Sequence, residues 1–497
     1  MKRRRVPPLR RATVRSLAAE ALNFALRSGV TYADVRVMEG RERLLTTKNG
    51  RPGHLSMAES IGLGIRVIAG GAWGFAATDN LTKSAIEAAA NRAIAIARAS
   101  ALAKKTDVVL APVEKHQATW VAPCAIDPFS ISVEEQLGRL LAIDEELRHN
   151  PGVTLAQASA SFSQFREVFA SSIGSVIDQT RTVTGVGYEV HTFKDGDIQK
   201  RSYPCSYGQY QQKGYELLDE LNLLENAPRI AEEAVALHSA DQCPEGEFDL
   251  ILEGSQLALQ IHESVGHPIE LDRVLGTEAN YAGMSFLTLD QLNKLRYGSD
   301  IVNVVCDARE QHGPGLGTFA FDDEGVMAQG VDIIRDGIFR GYMTSRETAA
   351  AVGDTHSNGT MRADSWAHLP LIRMTNVSLL PGEKTLEELF GETSHAIYMD
   401  TNKSWSIDDK RYNFQFGAEI AWEIRDGKRV RMLKNPTYSG ISTEFWNACA
   451  AISNRDNWVL WGVPNCGKGQ PEQIMGTGHG ASPARFRNVK IGAGYGG

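Results

Sequence analysis

Two histidines and a glutamate stand close together in the segment LALQIHESVGHPIELDR, Leu257–Arg273, as His262-Glu263-x-x-x-His267. Imidazoles flanking a carboxylate are the materials of a metal-assisted hydrolytic site, where an ion activates water and the carboxylate moves its proton. The spacing is unusual. Histidines four apart share one face of an α-helix, whereas a five-residue step turns the second about 140° from the first. The preceding SQLALQIH has helical periodicity, with Ser255 as its candidate cap. Gly266 just before the second histidine and Pro268 just after it lower the cost of a π-type bulge or an unwound turn. The spacing therefore predicts a local departure from α-helix between His262 and His267.

A catalytic zinc takes three protein ligands and a water. Glu270 and Asp272, nearby, and Cys466, far along the chain, are the candidates for the third. Cys306 in IVNVVC and Cys449 in NACAAIS read as small buried hydrophobes. Cys466 differs: in VPNCGKGQ, beside Lys468, it reads as an accessible loop thiol in an electropositive setting that favours the thiolate. The same stretch, GVPNCGKG, falls short of a phosphate loop because Gly469 stands where a hydroxyl residue would hold magnesium. FDDEG, ending at Gly325, reads as an acidic turn after a strand. In AHLPLIRMTN, His368, Arg373 and Asn376 are candidates for binding substrate backbone or an oxyanion, and equally for structural hydrogen bonds.

Such a site needs distant elements to position it, and 497 residues suffice for two or more domains. A charged amphipathic helix opens the chain, followed by ADVRVME, ERLLTTKNG, SIGLGIRVIAGG and AWGFAATDN as short strands. Thr82–Ala103 and Ser132–Arg148 read as helices, Thr154–Gln211 as long antiparallel strands with one exposed face, and Tyr215–His238 as helical. The turn-rich SADQCPEGEF, Ser239–Phe248, separates an amino-terminal domain, 12–240, from a carboxy-terminal one, 247–497. In the second, FDLILEG, IVNVVCD, VDIIRDGIFRGYM and NFQFGAEIAWEI are strands, with Asp336-Gly337 and Asp426-Gly427 as hairpin turns. The expected fold class is α+β: a sheet-and-helix amino-terminal domain, then a strand-rich carboxy-terminal one.

Composition narrows the function. Hydrophobic residues at 42% and charged residues at 23% describe a soluble folded protein. A net charge of −8 gives no reason to expect nucleic acid, and no apolar run is long enough to span a membrane. The basic amino end MKRRRVPPLRR contains an Arg10-Arg11 pair, but Arg15, Glu20 and Arg27 interrupt the adjoining apolar stretch, so it reads as a tail and not an export signal. The six scattered cysteines suit a reducing compartment, and a cytoplasmic location is expected.

HESVGHPIELD, GLGTFAFDDEG, AHLPLIRMTN and CGKG occur in this order, and together with the early SIGLGIRVIAGGAWGFAATDN they resemble the TldD/PmbA family of zinc metallopeptidases. The resemblance implies Zn²⁺ held by His262, His267 and Cys466, with Glu263 as general base activating the attacking water. A thiolate in that set argues against Mg²⁺ or Ca²⁺. The family also contains partner subunits that lack the metal motif; this chain keeps it and so resembles the TldD type. His479, in MGTGHGASPARFRNVKIG, is a further candidate active-site residue. The expected activity is hydrolysis of short or unfolded peptides in a restricted cavity, by a homodimer or a heterodimer with a metal-free relative. The alternative is a non-catalytic, metal-braced subunit of a peptidase complex.

Overall fold

The computed structural model describes residues 11–493 other than 28, 207 and 282; the basic amino end, residues 1–10, lies outside them. Its architecture is α+β. The first half is an eight-stranded sheet of β1 (Val30–Lys48), β2 (Arg51–Ala69), β3 (Ala72–Thr78), β4 (Gln117–Val121), β5 (Val153–Ser171), β6 (Val176–Lys194), β7 (Asp197–Tyr203) and β8 (Gln209–Gln211). The order is β3-β2-β1-β5-β6-β4, with β7 and β8 also paired to β6. ADVRVME and ERLLTTKNG are thus not separate short strands but parts of one 19-residue strand. Gly40, between them, marks a close approach and not a break, because a Cβ there would lie 2.5 Å from the ring of Phe165. The β1–β2 hairpin turns on Asn49 and Gly50, both at positive φ (48° and 75°), as two-residue hairpin loops require.

Helices cover one face of this sheet. α1 (Arg11–Ala25) and α2 (Lys83–Ser100) pack on Val35, Val37, Ile65 and Val168, while α3 (Val133–Arg148), α4 (Leu217–Glu220) and α5 (Leu223–Ala236) cover the other end. The buried stripe of α2 is Ile86, Ala89, Ala90, Ala93, Ile94 and Ala97, at helical spacing and small enough for close contact. Gly74 on β3 completes that contact, since a Cβ there would come within 2.0 Å of the Ala93 carbonyl. Ser132 caps α3 by accepting from Glu135 N at 3.1 Å.

The opposite face meets the second half of the chain through buried ion pairs. Arg36 reaches Asp323 (3.1 Å) and Arg66 reaches Glu324 (3.2 Å); from the helix-covered face, beside Glu233 of α5, Arg201 reaches Glu419 (3.1 Å). FDDEG is therefore a buried turn joining the halves: Asp322 accepts from the backbone N–H groups of Glu324, Val326 and Met361, and its two neighbours take the arginines.

The pairing of Asp241–Gln242 with Leu433 and Lys434 begins the second large sheet. Five of its strands, His395–Ile407, Gly246–Leu252, Ala484–Ala493, Pro436–Ile441 and Asn413–Arg425, pair in a closed circuit because the first and last also bond to each other. Aromatic residues fill it, among them Phe414, Phe416, Tyr438 and Phe445, the last stacked on Phe486 at 4.0 Å. Asp336-Gly337 and Asp426-Gly427 turn their hairpins at positive φ. Against this sheet lies α6 (Gly254–Ile261), buried at every residue, with the hairpin Val459–Lys468/Gln473–Ala481 on its other side. Its cap is Glu253, which accepts from Ser255 N at 2.6 Å; Ser255 itself is already helical. Among the described residues no helix is long and apolar enough to cross a membrane.

Glu167 on β5 is buried at the junction, close to Asp323, and its carboxyl oxygens, when ionised, accept no hydrogen bond among the described residues. Burial, then the charge of Asp323, pushes its carboxyl from 4.5 up to about 8. Between those values the folded chain holds a proton that the unfolded chain has lost, so this group makes stability fall as pH rises. Glu167→Gln should melt several degrees higher than the parent at pH 8, with the difference vanishing near pH 4.5. A pH-independent difference in thermal melts would contradict this origin.

Candidate metal centre

The chain leaves α6 through a π-helical turn, His262–Gly266. His267 N–H donates to the His262 carbonyl at 3.2 Å, a bond across five residues instead of four. The wider turn returns His267 to the side of His262, and the two rings stand edge to face at 4.9 Å. A buried polar ladder holds it. Tyr438 links Gln256 and Gln260, and Gln260 bonds Ser264 (3.1 Å). Ser264 also receives the Trp446 indole N–H at 2.9 Å, while Tyr297 donates to its carbonyl. Gly266 leaves room for Met374, whose sulfur would lie 2.1 Å from an added Cβ.

Cys466 comes to the same place from the far hairpin. It lies on a strand, not in an open loop, and is only 3% exposed, so the accessible thiol expected from VPNCGKGQ is corrected to a buried one. Pro and Gly signal here a bulge between Val463 and Cys466 within a paired ribbon. Cys466 Sγ is 3.7 Å from His267 Nε2. One ligand atom from each of His262, His267 and Cys466 can be chosen so that all lie within 4.8 Å of one another. Burial opposes the thiolate, but His267 beside it and the Arg373 guanidinium pull the thiol below its ordinary value. Arg373 donates to the Cys466 and Gln473 carbonyls and so ties the ribbon down.

The hydrogen bonds assign the ring tautomers. His267 Nδ1 meets Glu270 Oε2 at 3.1 Å, so that nitrogen carries the proton and Nε2 keeps its lone pair. His479 Nδ1 donates to the Val377 carbonyl at 3.0 Å, leaving its Nε2 to accept from His262 Nδ1 at 2.8 Å. The lone pair of His262 is then also on Nε2. Burial pulls His262 down to about 4 and lowers His267 and His479 as well, so all three rings are neutral near pH 7. Burial alone would neutralise Glu270, but Lys468, His267 and Arg273 hold it well below the usual carboxylate range. Lys468 also donates to Asp272 at 2.7 Å. Asp272 is thus held by Lys468, and Glu270 is held by Lys468 and by the Nδ1 side of His267.

Glu263 is buried beside His262, and its Oε2 accepts from Arg411 Nη1 at 2.6 Å. Arg411 sits at positive φ (65°) in the turn between two long strands, 148 positions from its partner. Sequence reasoning missed it; a charged residue in SIDDKRYNF carries no local signal beyond a turn. Of the remaining candidates, His368 bonds Asp364 at 2.7 Å, and Asn376 bonds the Asp307 carbonyl, Thr318 and Gly317 N. The structure thus brings Arg373 and His479 to the cluster and engages His368 and Asn376 elsewhere.

Residues 245–493 match the model of the PmbA/TldA metallopeptidase C-terminal domain, and residues 33–97 match PmbA/TldA metallopeptidase domain 1. A metalloprotease of Methanocaldococcus jannaschii is 28% identical over 453 residues, covering 90% of this chain and 95% of that one. A zinc metalloprotease TldD homolog of Saccharolobus solfataricus is 25% identical over 469 residues, covering 93% and 97%. The crystal structure of TldE from Thermococcus kodakarensis has the same fold, with a TM-score of 0.71 at 17% identity over 96% of this chain and 99% of that one.

Glu270→Gln keeps the shape and one acceptor but removes the charge that fixes the His267 proton. Its affinity for a divalent metal, read by competition with a chromophoric chelator, should fall about tenfold, the lower end of such effects. An unchanged affinity would show that Glu270 does not orient the ring.

Proposed function

The chain belongs to the PmbA/TldA metallopeptidase family, and from that premise we propose a zinc-dependent peptidase in which His262, His267 and Cys466 hold the ion and Glu263 is the general base. The observation that carries the reading is the donor set: two neutral imidazoles with Nε2 lone pairs free and a thiol drawn toward thiolate, all mutually within 4.8 Å. Nitrogen and sulfur donors in that number suit zinc with one position open. Zinc bound there would supply a Lewis acid that activates water and polarises the scissile carbonyl.

The chain's own residues do the rest. Glu263 takes the proton of the attacking water on a carboxylate oxygen and returns it to the leaving amine. Arg411, bonded to Oε2, holds that carboxylate in place, and Oε1 has no bond among the described residues. Glu270 and His479 keep the two imidazoles in the tautomer that turns Nε2 inward. A metal that merely braced the fold would call for a fourth protein ligand. Glu270 sits on the Nδ1 side of His267, away from Nε2, and Asp272 is held by Lys468, which favours the catalytic reading.

Glu263→Gln should retain one zinc per chain and lose hydrolysis by at least about a hundredfold, the scale of a general base. Cys466→Ala should lose zinc and activity together while keeping its circular dichroism. Unchanged turnover in zinc-loaded Glu263→Gln would remove the assigned role, and full zinc retention in Cys466→Ala would move the third ligand elsewhere.

We further propose a cytoplasmic two-subunit assembly, of two copies or of this chain with a metal-free relative, acting on short or unfolded peptides. The buried centre supports restricted access. A folded substrate would have to open locally at a cost of up to about 5–15 kcal/mol. Light scattering should give two subunits, and a destabilised, unfolded variant of a small domain should be cleaved while its folded parent is spared. A monomer cleaving both at equal rates would overturn this assembly and access.

A further inference from the structure

Alternation along the strands of the first sheet sorts its side chains. Val35, Val37 and Val168 meet the helices, whereas Arg36, Met38, Phe165, Glu167 and Arg181 occupy the other face, in register across β1, β5 and β6. Where this face meets the second half there is a cleft of about 280 Å³, lined among others by Arg181, Ser163, Arg362, Asp364 and Met475. Met475 is the direct cross-strand neighbour of Cys466, so the two share one face of the ribbon and the cleft adjoins the metal centre.

Two guanidinium groups in this cleft form no ion pair among the described residues, although Glu42 stands on the same wall and the charge of Arg181 acts on the carboxyl of Glu167, which burial pushes up to about 8. Arg181, half-buried, makes no hydrogen bond, ion pair or ring contact among the described residues. Arg362 is 4% exposed and forms no ion pair among them; it donates to the carbonyls of Met374 (2.7 Å), Gly476 (3.0 Å) and Leu316 (3.0 Å). Three of its five N–H groups are thereby used, and Nε is buried without a partner. Burial first, then the neighbouring charges of Arg181 and Arg373, pulls Arg362 down to about 9 against the opposing pull of Asp323 and Cys466. Asp364 is occupied by His368 and Ile474 N, and Asp323 by Arg36 and Ala363 N.

An orphaned buried donor beside an unpartnered arginine is expensive unless an anion completes it. We propose that the cleft between Arg181 and Arg362 is a subsite for a carboxylate of the peptide substrate, either its C-terminal group or an acidic side chain. Guanidinium groups bind carboxylates through paired N–H bonds, and the volume is at the small end of ligand pockets, which run to roughly 300–1,000 Å³. Asp364 and Glu42 on the wall repel a dianion more than a monoanion, which favours carboxylate over phosphate. The subsite rests on the peptidase reading above, and it makes peptides with a free carboxylate within reach of the metal centre the preferred class.

The test uses immobilised zinc-loaded Glu263→Gln and a pool of unstructured hexapeptides, each present as free acid and as C-terminal amide, with and without one Asp or Glu. Retention is read by mass spectrometry. Free acids should be enriched at least about tenfold over the matching neutral amides, and adding Arg181→Gln should bring the two to parity. Enrichment confined to amides and acids that contain Asp or Glu would place the side-chain carboxylate in the subsite. Equal retention of all forms, no retention of free acids, or enrichment untouched by Arg181→Gln would overturn the proposal. The wild-type protein assayed on the same pool separates the two readings: absence of cleavage counts against the peptidase alone, while the retention ratio judges the subsite.

Discussion

The whole centre depends on one backbone hydrogen bond, from His267 N–H to the His262 carbonyl. In an unbroken α-helix the two rings would diverge by about 140°. The bond across five residues brings them together, and because a π turn is a local defect in a helix, other groups must hold it. Ser264 inside the turn is bonded by Gln260 and Trp446, Tyr297 secures its carbonyl, and Gly266 admits Met374. The buried helix, the closed circuit of strands and the hairpin behind it enclose this ladder, in a setting where its hydrogen bonds are stronger than in water.

Electrostatics complete what the backbone begins. Burial alone would neutralise every titratable group around the rings. Glu270 nevertheless stays ionised because Lys468, His267 and Arg273 surround it, and Cys466 moves toward thiolate because His267 and Arg373 do. The imidazoles have acids beside them too, Glu263 and Glu270 at His262 and Cys466 and Glu270 at His267, but burial outweighs that support and keeps them neutral and available as donors. The same logic binds the two halves. Arg36, Arg66 and Arg201 reach across to acids that burial would otherwise leave unpaired, and removing one partner of such a pair typically costs about 3–5 kcal/mol. The halves are therefore not free to separate cheaply.

How much of this was legible in the residues depends on distance along the chain. The π turn could be read because its cause is local: two histidines one step too far apart, with Gly266 and Pro268 beside the second. Hairpin turns at Asp336-Gly337 and Asp426-Gly427 are local for the same reason. Cys466 could be singled out by type and neighbours, but its burial could not, since the strand that covers it is set by pairing with Gln473–Ala481 and by contact with the distant α6. Gly40 read as punctuation because the Phe165 ring that explains it lies on another strand. Arg411 and the His262–His479 contact span 148 and 217 positions, beyond any periodicity or motif.

The central claim is that His262, His267 and Cys466 form a three-ligand zinc site with one position open. It is tested most directly by anomalous-scattering maps collected on either side of the zinc absorption edge from crystals of the zinc-loaded protein. The account predicts one strong peak present only above the edge, about 2.0–2.1 Å from each histidine Nε2 and about 2.3 Å from Cys466 Sγ, with no fourth protein ligand. A peak elsewhere, or one whose coordination is closed by Glu270 or Asp272, would contradict it.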